Sequence, residues 1–272
     1  MSSSVVPLDP KVNPGFLKLD LFCRGLRLHG SCTVEDDGGR PVMRARAGLG
    51  SGLEVILEPG LWVNVPVVEG FAAESPYELR RTADGRYDLW HDGAPCVRVR
   101  LSPRPAWYDT LTSTGKAMRR VGTLQGTYLA VYPAQVCHFW VQSEHRPARE
   151  NCRFCSVGLN LGVDEEPGKS VDEVLEVVHA ARRESGITYV DFNTGHYDGS
   201  EFLDVLEPYV ARVKRETGLL VGVQTPPFAR EPDYARLRAL GANRVSFCFE
   251  VFDPEVFREL CPGKARVYGL QG

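Results

Sequence analysis

Three cysteines have types and spacing that suit an iron–sulfur cluster. The chain has eight cysteines, at positions 23, 32, 96, 137, 152, 155, 248 and 261, and only three of them are clustered. Fourteen residues separate Cys137 from Cys152, and two separate Cys152 from Cys155. In a reducing compartment, clustered thiols more often serve metals or catalysis than disulfides. Three thiolates suit a cubane cluster that keeps one iron open for a small molecule. The pattern therefore predicts a [4Fe–4S] site.

A zinc site is the alternative for the same cysteines. Either His138 or His145 would complete a Cys3His set, and the chain would then be a zinc-stabilised, non-catalytic binding module. The cysteines form only one Cys-x2-Cys pair, so a second zinc knuckle is missing. A thioredoxin-type redox pair would open a helix, whereas Cys155 precedes the run SVGLNLG. We therefore expect a cluster, with zinc as the second hypothesis.

The motif resembles that of the radical SAM superfamily, whose usual form is Cys-x3-Cys-x2-Cys with an aromatic residue before the last cysteine. Phe154 precedes Cys155, and the second gap has the usual length. The first gap is fourteen residues instead of three, which adds only about 1.4 kcal/mol of loop-closure entropy. A metal–thiolate bond can offset that cost. The resemblance covers residues 127–272.

The resemblance implies a chemistry and a set of partners. A [4Fe–4S] cluster would bind the amino and carboxylate groups of S-adenosylmethionine (SAM). An electron from the cluster would break a C–S bond to give a 5′-deoxyadenosyl radical, which abstracts hydrogen from a substrate. A flavodoxin or a ferredoxin would supply the electron. The substrate, a small molecule or a peptide, is not identified by any motif, and the protein would provide orientation and exclusion of water.

Five further residues are implied as cofactor contacts. In the superfamily a glycine-rich turn after the second strand meets the methionine amino group, and here that turn begins Asn193-Thr194-Gly195. Gly195 allows a close backbone approach, and the side-chain oxygens of Asn193 and Thr194 can accept from an ammonium. Glu250, after the fourth strand, is implied as a contact to the ribose or the amine, with simple solvation at the rim as its alternative. Phe154 would shield the cluster from water.

The elements that must position these residues alternate between strand and helix from about residue 127. Strand-like runs occur at 128–136, 137–141, 187–193, 219–225 and 243–252. Ser170 and Glu173 form a capping box that begins a helix, and Gly186 ends it. Four βα units in succession predict an α/β fold whose parallel strands are apolar on both faces and curl as a partial TIM-type (β/α) barrel. Four strands cannot close a barrel, so we expect the barrel to be truncated.

The first part of the chain has a different pattern. Short, partly alternating runs fill residues 1–110, including FLKLDLFCRGLRL near the start, and turn signals follow at Asp37-Gly38-Gly39, Asp84-Gly85 and Asp92-Gly93. These features predict a β-rich N-terminal domain, to which the sequence gives no role. Residues 111–126 are predicted as a linker, and residues 127–272 as the radical SAM-like domain.

Composition excludes several functions. The formal net charge is −3 and the isoelectric point is about 6.1, so a nucleic-acid partner is not expected. No apolar run approaches the roughly 20 residues that cross a bilayer. The N-terminus lacks the basic and apolar regions of a signal peptide. We expect a cytoplasmic protein without a membrane partner.

Overall fold

Each half of the chain is built on its own β-sheet. The computed structural model describes residues 13–34, 52–133, 135–198, 202–227 and 230–270. The chain divides into two units, Met1–Arg104 and Pro105–Gly272. None of the helices in the described ranges combines the length and apolar character that a membrane span needs.

The first unit contains one helix and a six-stranded sheet. Its strands lie in the order β1-β4-β5-β6-β2-β3, and every neighbouring pair is antiparallel except the parallel pair β1–β4. The elements are α1 (Pro14–Arg24), β1 (Arg27–Leu28), β2 (Leu53–Leu57), β3 (Leu61–Val65), β4 (Tyr77–Arg81), β5 (Tyr87–His91) and β6 (Ala94–Leu101). The β-rich character predicted for this part of the chain is seen in these strands.

Alternation and turn chemistry explain the hairpins. Along β4 the side chains of Tyr77 and Leu79 are buried, while their neighbours are more exposed. Asp92 and Gly93 both have positive φ, 47° and 77°, which is the conformation of a type I′ turn between β5 and β6. The predicted turn at Asp37-Gly38-Gly39 lies outside the described residues.

Helix α1 corrects the prediction of a strand near the start of the chain. The side chain of Asn13 accepts from the N–H of Gly15 at 2.9 Å and caps the helix. Leu17 and Leu21 are four residues apart and are both buried in the core of the first unit. Exposed Leu19 between them makes the sequence look alternating, which is why the pattern was misleading.

The second unit contains a five-stranded sheet in the order β11-β10-β9-β8-β7. Strands β8 to β11 are parallel, and β7 forms an antiparallel hairpin with β8. The strands are β7 (Thr123–Gln125), β8 (Tyr128–Val131), β9 (Tyr189–Asn193), β10 (Leu220–Gln224) and β11 (Arg244–Ser246). The helices are α2 (Met118–Val121), α3 (Val157–Asn160), α4 (Val171–Ser185), α5 (Phe202–Thr217), α6 (Glu231–Ala239), α7 (Pro254–Leu260) and α8 (Pro262–Val267). A mixed α/β fold, as predicted, is confirmed.

Local signals fix helix α4 as the sequence predicted. The hydroxyl of Ser170 accepts from the N–H of Glu173 at 3.1 Å, and the Glu173 carboxylate accepts from the N–H of Ser170 at 2.6 Å. Gly186 ends the helix with a φ of 63°. The apolar sides of α4 and α5 pack on one face of the sheet, where Val190 and Phe192 of β9 are fully buried.

Three predicted segments differ from the structure. Residues 138–140, expected in a strand, form a 3-10 turn. The segment 111–126, expected as a linker, contributes α2 and β7, and Val121 and Leu124 are buried in the core of the second unit. The last strand covers only Arg244–Ser246, and Glu250, within the segment expected as a strand, has a φ of 68°, which a strand does not allow.

Candidate functional site

The carboxyl ends of the four parallel strands meet at one edge of the second sheet. Val131 at the end of β8 pairs with Phe192 of β9. Gln224 at the end of β10 pairs with Asn193 of β9 and with Ser246 of β11. The segments that follow these strands therefore start from the same edge. Every site residue predicted from the sequence belongs to a strand end or to one of these segments.

Cys137 packs directly against the turn that follows β9. Its sulfur accepts a hydrogen bond from the N–H of His196 at 3.3 Å, and the N–H of His138 donates to the carbonyl of His196 at 2.8 Å. A Cβ atom on Gly195 would lie 2.3 Å from the Cβ of Cys137, so only glycine fits. The close approach predicted for Gly195 is made to the first cysteine, and a contact with SAM stays a prediction.

Cys152 and Cys155 lie at the two ends of a tight turn, in which the N–H of Cys155 donates to the carbonyl of Cys152 at 3.0 Å. Cys152 is buried, packs against Phe257 and forms a thiol–thiol hydrogen bond with Cys261. Cys155 packs against the same cluster. Phe154, between the two cysteines, has 37% of its surface exposed, so it is only partly covered by protein.

Burial holds the thiols of Cys137 and Cys152 in their protonated form. Burial raises the pKa of Cys137, and the backbone hydrogen bonds to its sulfur do not compensate. Burial also raises the pKa of Cys152 to about 12. The Lys264 ammonium lowers the pKa of Cys137 and Cys152 but does not outweigh burial. A metal must therefore displace protons when it binds, which makes loading dependent on pH.

The predicted ligands occupy one region without surrounding a single point. Within the ranges that the structure describes, no three Cys, His, Asp or Glu side chains are grouped so that they could hold one metal ion. A zinc ion needs four ligands at about 2.0–2.3 Å, whereas a cubane spreads its thiolates over different irons. Cys137, Cys152 and Cys155 match the cluster in donor chemistry, and the segments would have to move closer together on binding.

Neither histidine of the zinc alternative forms a metal group with these cysteines in the described residues. The Nδ1 atom of His138 accepts from the N–H of Asp198 at 2.9 Å. His145 is exposed. Both would have to move before they could bind zinc beside the thiols.

The predicted SAM contacts already have partners within the protein. The N–H and the hydroxyl of Thr194 both donate to the carbonyl of Gln224, at 2.9 and 3.2 Å, which leaves the hydroxyl oxygen able to accept. Asn193 is half-buried at the end of β9. The carboxylate of Glu250 accepts from the Lys264 ammonium at 2.9 Å. SAM would have to share Glu250 with this lysine.

The face of the second sheet opposite the helices is polar. On this face the Tyr189 hydroxyl donates to the Asp191 carboxylate, and the Arg244 guanidinium lies 3.9 Å from the same carboxylate. A Cβ atom on Gly222, which pairs with Asp191, would lie 1.7 Å from the Tyr189 hydroxyl. Glycine therefore makes room for this hydrogen bond. The expectation of parallel strands that are apolar on both faces is wrong for β9, because its alternate side chains build this polar face.

A buried arginine supports the cysteine segment and was not found from the sequence. The Nη2 atom of Arg146 donates to both oxygens of Asp198, at 2.6 and 2.7 Å, and its Nη1 atom donates to the carbonyl of His138. The three residues join the loop after β8 to the turn after β9. No sequence signal predicts this pair, because Asp198 lies 52 positions after Arg146 in the chain.

Burial also decides the charge of a histidine in this turn. The ring of His196 stacks on Phe139 with 4.2 Å between centroids, and it bonds to the hydroxyl of Tyr268. Burial lowers the pKa of His196, and the opposing effect of Asp198 does not compensate. The ring is therefore neutral at neutral pH.

No model of a known protein family matches the chain, and no curated protein matches it. The function must therefore be argued from the residues and their arrangement.

Proposed function

We propose that residues 127–272 form a radical SAM domain built as a partial TIM-type (β/α) barrel. Cys137, Cys152 and Cys155 would hold a [4Fe–4S] cluster. When bound and reduced by a flavodoxin or a ferredoxin, the cluster would supply the electron that cleaves SAM into methionine and a 5′-deoxyadenosyl radical. The protein would use that radical to abstract hydrogen from a substrate.

The position of the cysteines carries the proposal. All three follow β8, beyond the carboxyl ends of the parallel strands, which is where α/β folds bind ligands. The turn after β9, to which the resemblance assigns SAM, packs on Cys137 through Gly195. The segments assigned to the cluster and to SAM are therefore in contact.

The chain's own groups would bind and orient the cofactor. The oxygens of Asn193 and Thr194 accept from the methionine ammonium, and Gly195 keeps their turn close to Cys137. Glu250 accepts from a ribose hydroxyl or the amine while it remains paired with Lys264. A small movement of the exposed Phe154 ring would exclude water from the bound cluster.

The polar face of the second sheet is the surface that we assign to the substrate. Asp191 is buried, and the half-buried Tyr189 hydroxyl and the exposed Arg244 guanidinium beside it offer hydrogen-bond donors and an acceptor on this face. None of the eight cysteines, all of which lie in the described ranges, forms a disulfide, which fits the reducing, cytoplasmic location that we propose.

Cleavage of SAM tests the proposal. The protein is reconstituted with iron and sulfide without oxygen, reduced with dithionite and incubated with SAM. We expect a brown protein that forms 5′-deoxyadenosine slowly even without substrate, because the reduced cluster and SAM suffice for cleavage. Mass spectrometry measures the product.

Two variants control for adventitious iron. Cys152→Ala should abolish product formation, because three thiolates leave no spare ligand. Cys96→Ala, a half-buried thiol of the first unit, should retain it. A colourless protein that binds zinc and forms no 5′-deoxyadenosine would contradict the proposal and favour the zinc-stabilised module.

A further inference from the structure

A lysine outside the cysteine motif is fixed beside the candidate cluster site. Lys264 lies on α8, three residues after Cys261. Its ammonium donates to the carbonyl of Cys248 at 2.7 Å and to the carboxylate of Glu250 at 2.9 Å. Only 20% of its side chain is exposed. It is therefore held by its partners rather than free in solvent.

The helix that carries this lysine is joined to the cysteine segment. The N–H of Gly263 donates to the carbonyl of Glu150 at 3.0 Å. A Cβ atom on Gly263 would lie 2.6 Å from the ring of Phe139, so the backbone is in direct contact with the loop after β8. Arg266 adds an ion pair with Glu150, with Nε 3.0 Å from the carboxylate. Movement of the loop and movement of Lys264 are therefore coupled.

The helix segment that carries this lysine packs against two of the proposed ligands. Ala265, the residue after Lys264, packs with Cys155 against the buried cluster of Cys152, Phe257 and Cys261. Burial acts to lower the pKa of Lys264, but the hydrogen bond and the charge of Glu250 outweigh it and raise this pKa above its ordinary value. The ammonium therefore stays charged at neutral pH.

We infer that Lys264 is a positioning residue whose fixed positive charge makes the bound cluster easier to reduce. The inference rests on the proposed function, since it needs the cluster at Cys137, Cys152 and Cys155. Reduction adds one negative charge to the site, and a nearby cation in a poorly solvated environment favours the reduced form. The negative charge of Glu250 opposes this effect. The reduction potential of the cluster therefore depends on the charges of both Lys264 and Glu250.

The reduction potential of the reconstituted protein, measured without SAM, tests the inference. Lys264→Met removes the charge and keeps the length of the side chain, whereas Lys264→Arg keeps the charge and is the matched control. We expect Lys264→Met to shift the reduction equilibrium about tenfold toward the oxidised cluster, which is about 59 mV for one electron. Lys264→Arg should shift it much less.

A second variant distinguishes an effect of the lysine charge from a loss of local structure. Glu250→Gln leaves the lysine charge without its carboxylate, so the reduction equilibrium should move in the opposite direction from Lys264→Met. Glu250→Gln also tests the inference if the Lys264→Met protein does not retain the cluster. EPR of the reduced cluster follows each titration.

Three results would overturn the inference. The potential of Lys264→Met could equal that of the wild-type protein while the cluster is intact. Glu250→Gln could fail to shift the potential upward. In both cases the proposed function would stand and the role of Lys264 would fall. A wild-type protein that binds no cluster would overturn both.

Discussion

The two units of the chain differ in what they bury. In the first unit, Glu54 is the one buried charged side chain among the described residues, and other charged residues such as Arg98 and Asp88 pair on the surface at 3.0 Å. In the second unit, several charged side chains are buried. Those in the described residues are Arg146, Glu165, Lys169, Glu173, Asp191 and Asp233.

This difference in buried charge distinguishes a unit whose interior mainly stabilises the fold from a unit whose interior also fixes polar groups. Burying a charge is costly unless it is paired, and the second unit pairs its buried charges with specific partners, as in Lys169 and Glu165 at 2.7 Å. Such pairs add less to stability than an apolar core does, and they fix the positions of polar groups. The second unit is therefore built to hold loops in place, whereas the described residues of the first unit bury a single charged side chain, Glu54.

The largest effect on stability is expected when one glycine in each unit is replaced with alanine, and the pair sharpens the comparison of the two units. We expect Gly195→Ala to destabilise the second unit by about 3 kcal/mol, because the added Cβ would overlap Cys137. It should also lower cluster content after reconstitution, since the turn and the cysteine cannot both keep their places. Urea unfolding and iron analysis measure the two effects.

The matched control lies in the first unit. Gly25 has a φ of 73°, and a Cβ there would lie 2.7 Å from the Cβ of Ala72. Gly25→Ala should destabilise its own unit by a similar amount and leave cluster content unchanged. Equal loss of iron in both variants would show that the two units are not separate in function.

Sequence reasoning succeeded where the signal is local. Ser170, Glu173 and Gly186 define α4 because caps and C-terminal glycines act over one turn. It failed where an alternating pattern coincided with helical spacing, as at Leu17 and Leu21 of α1. It also failed where a distant residue decides the backbone, since Lys264 bonds to the carbonyl of Cys248 beyond the short strand β11.

The candidate site was predictable by residue type and not by arrangement. Cysteine spacing selected Cys137, Cys152 and Cys155 as candidate ligands, which stays a prediction, and glycine marked the turn that packs on Cys137. The Arg146–Asp198 pair could not be found, because nothing in the sequence near Arg146 marks its partner. Long-range pairs of this kind depend on the tertiary fold.

Acid should weaken the second unit through one buried carboxylate. Burial acts to raise the pKa of Glu173, but hydrogen bonds from Lys116, Thr114 and the N–H of Ser170 outweigh it and hold this pKa at about 2. A lowered pKa stabilises the fold above the ordinary value of 4.5 and loses that contribution as the pH falls from there toward 2. We expect Glu173→Gln to cost about 2 kcal/mol at neutral pH and to flatten this acid dependence.

The control is a neighbouring carboxylate on the same helix. Asp172 is exposed and pairs with Arg212 at 3.0 Å. Asp172→Asn should change the free energy of unfolding by less than about 0.5 kcal/mol. If Glu173→Gln kept the acid dependence of the wild-type protein, the assignment of that dependence to Glu173 would be wrong.

The smallest effect on stability is expected at two exposed aromatic residues. Phe154→Ala in the second unit and Phe71→Ala in the first should each change the free energy of unfolding by less than about 0.5 kcal/mol. Only Phe154→Ala should speed the loss of cluster colour in air, because only Phe154 adjoins the cysteines. Equal bleaching rates in the two variants would remove Phe154 from the proposed site.

Iron and sulfide content of Cys137→Ala after anaerobic reconstitution tests the central claim most directly. Cys248→Ala is the matched control, because this half-buried thiol is also near Lys264 without being a proposed ligand. We predict about four irons per chain in the wild-type protein and in Cys248→Ala, and loss of the stable cluster in Cys137→Ala. A Cys137→Ala protein with the full iron content and an unchanged EPR signal would contradict the assignment of the cluster to Cys137, Cys152 and Cys155.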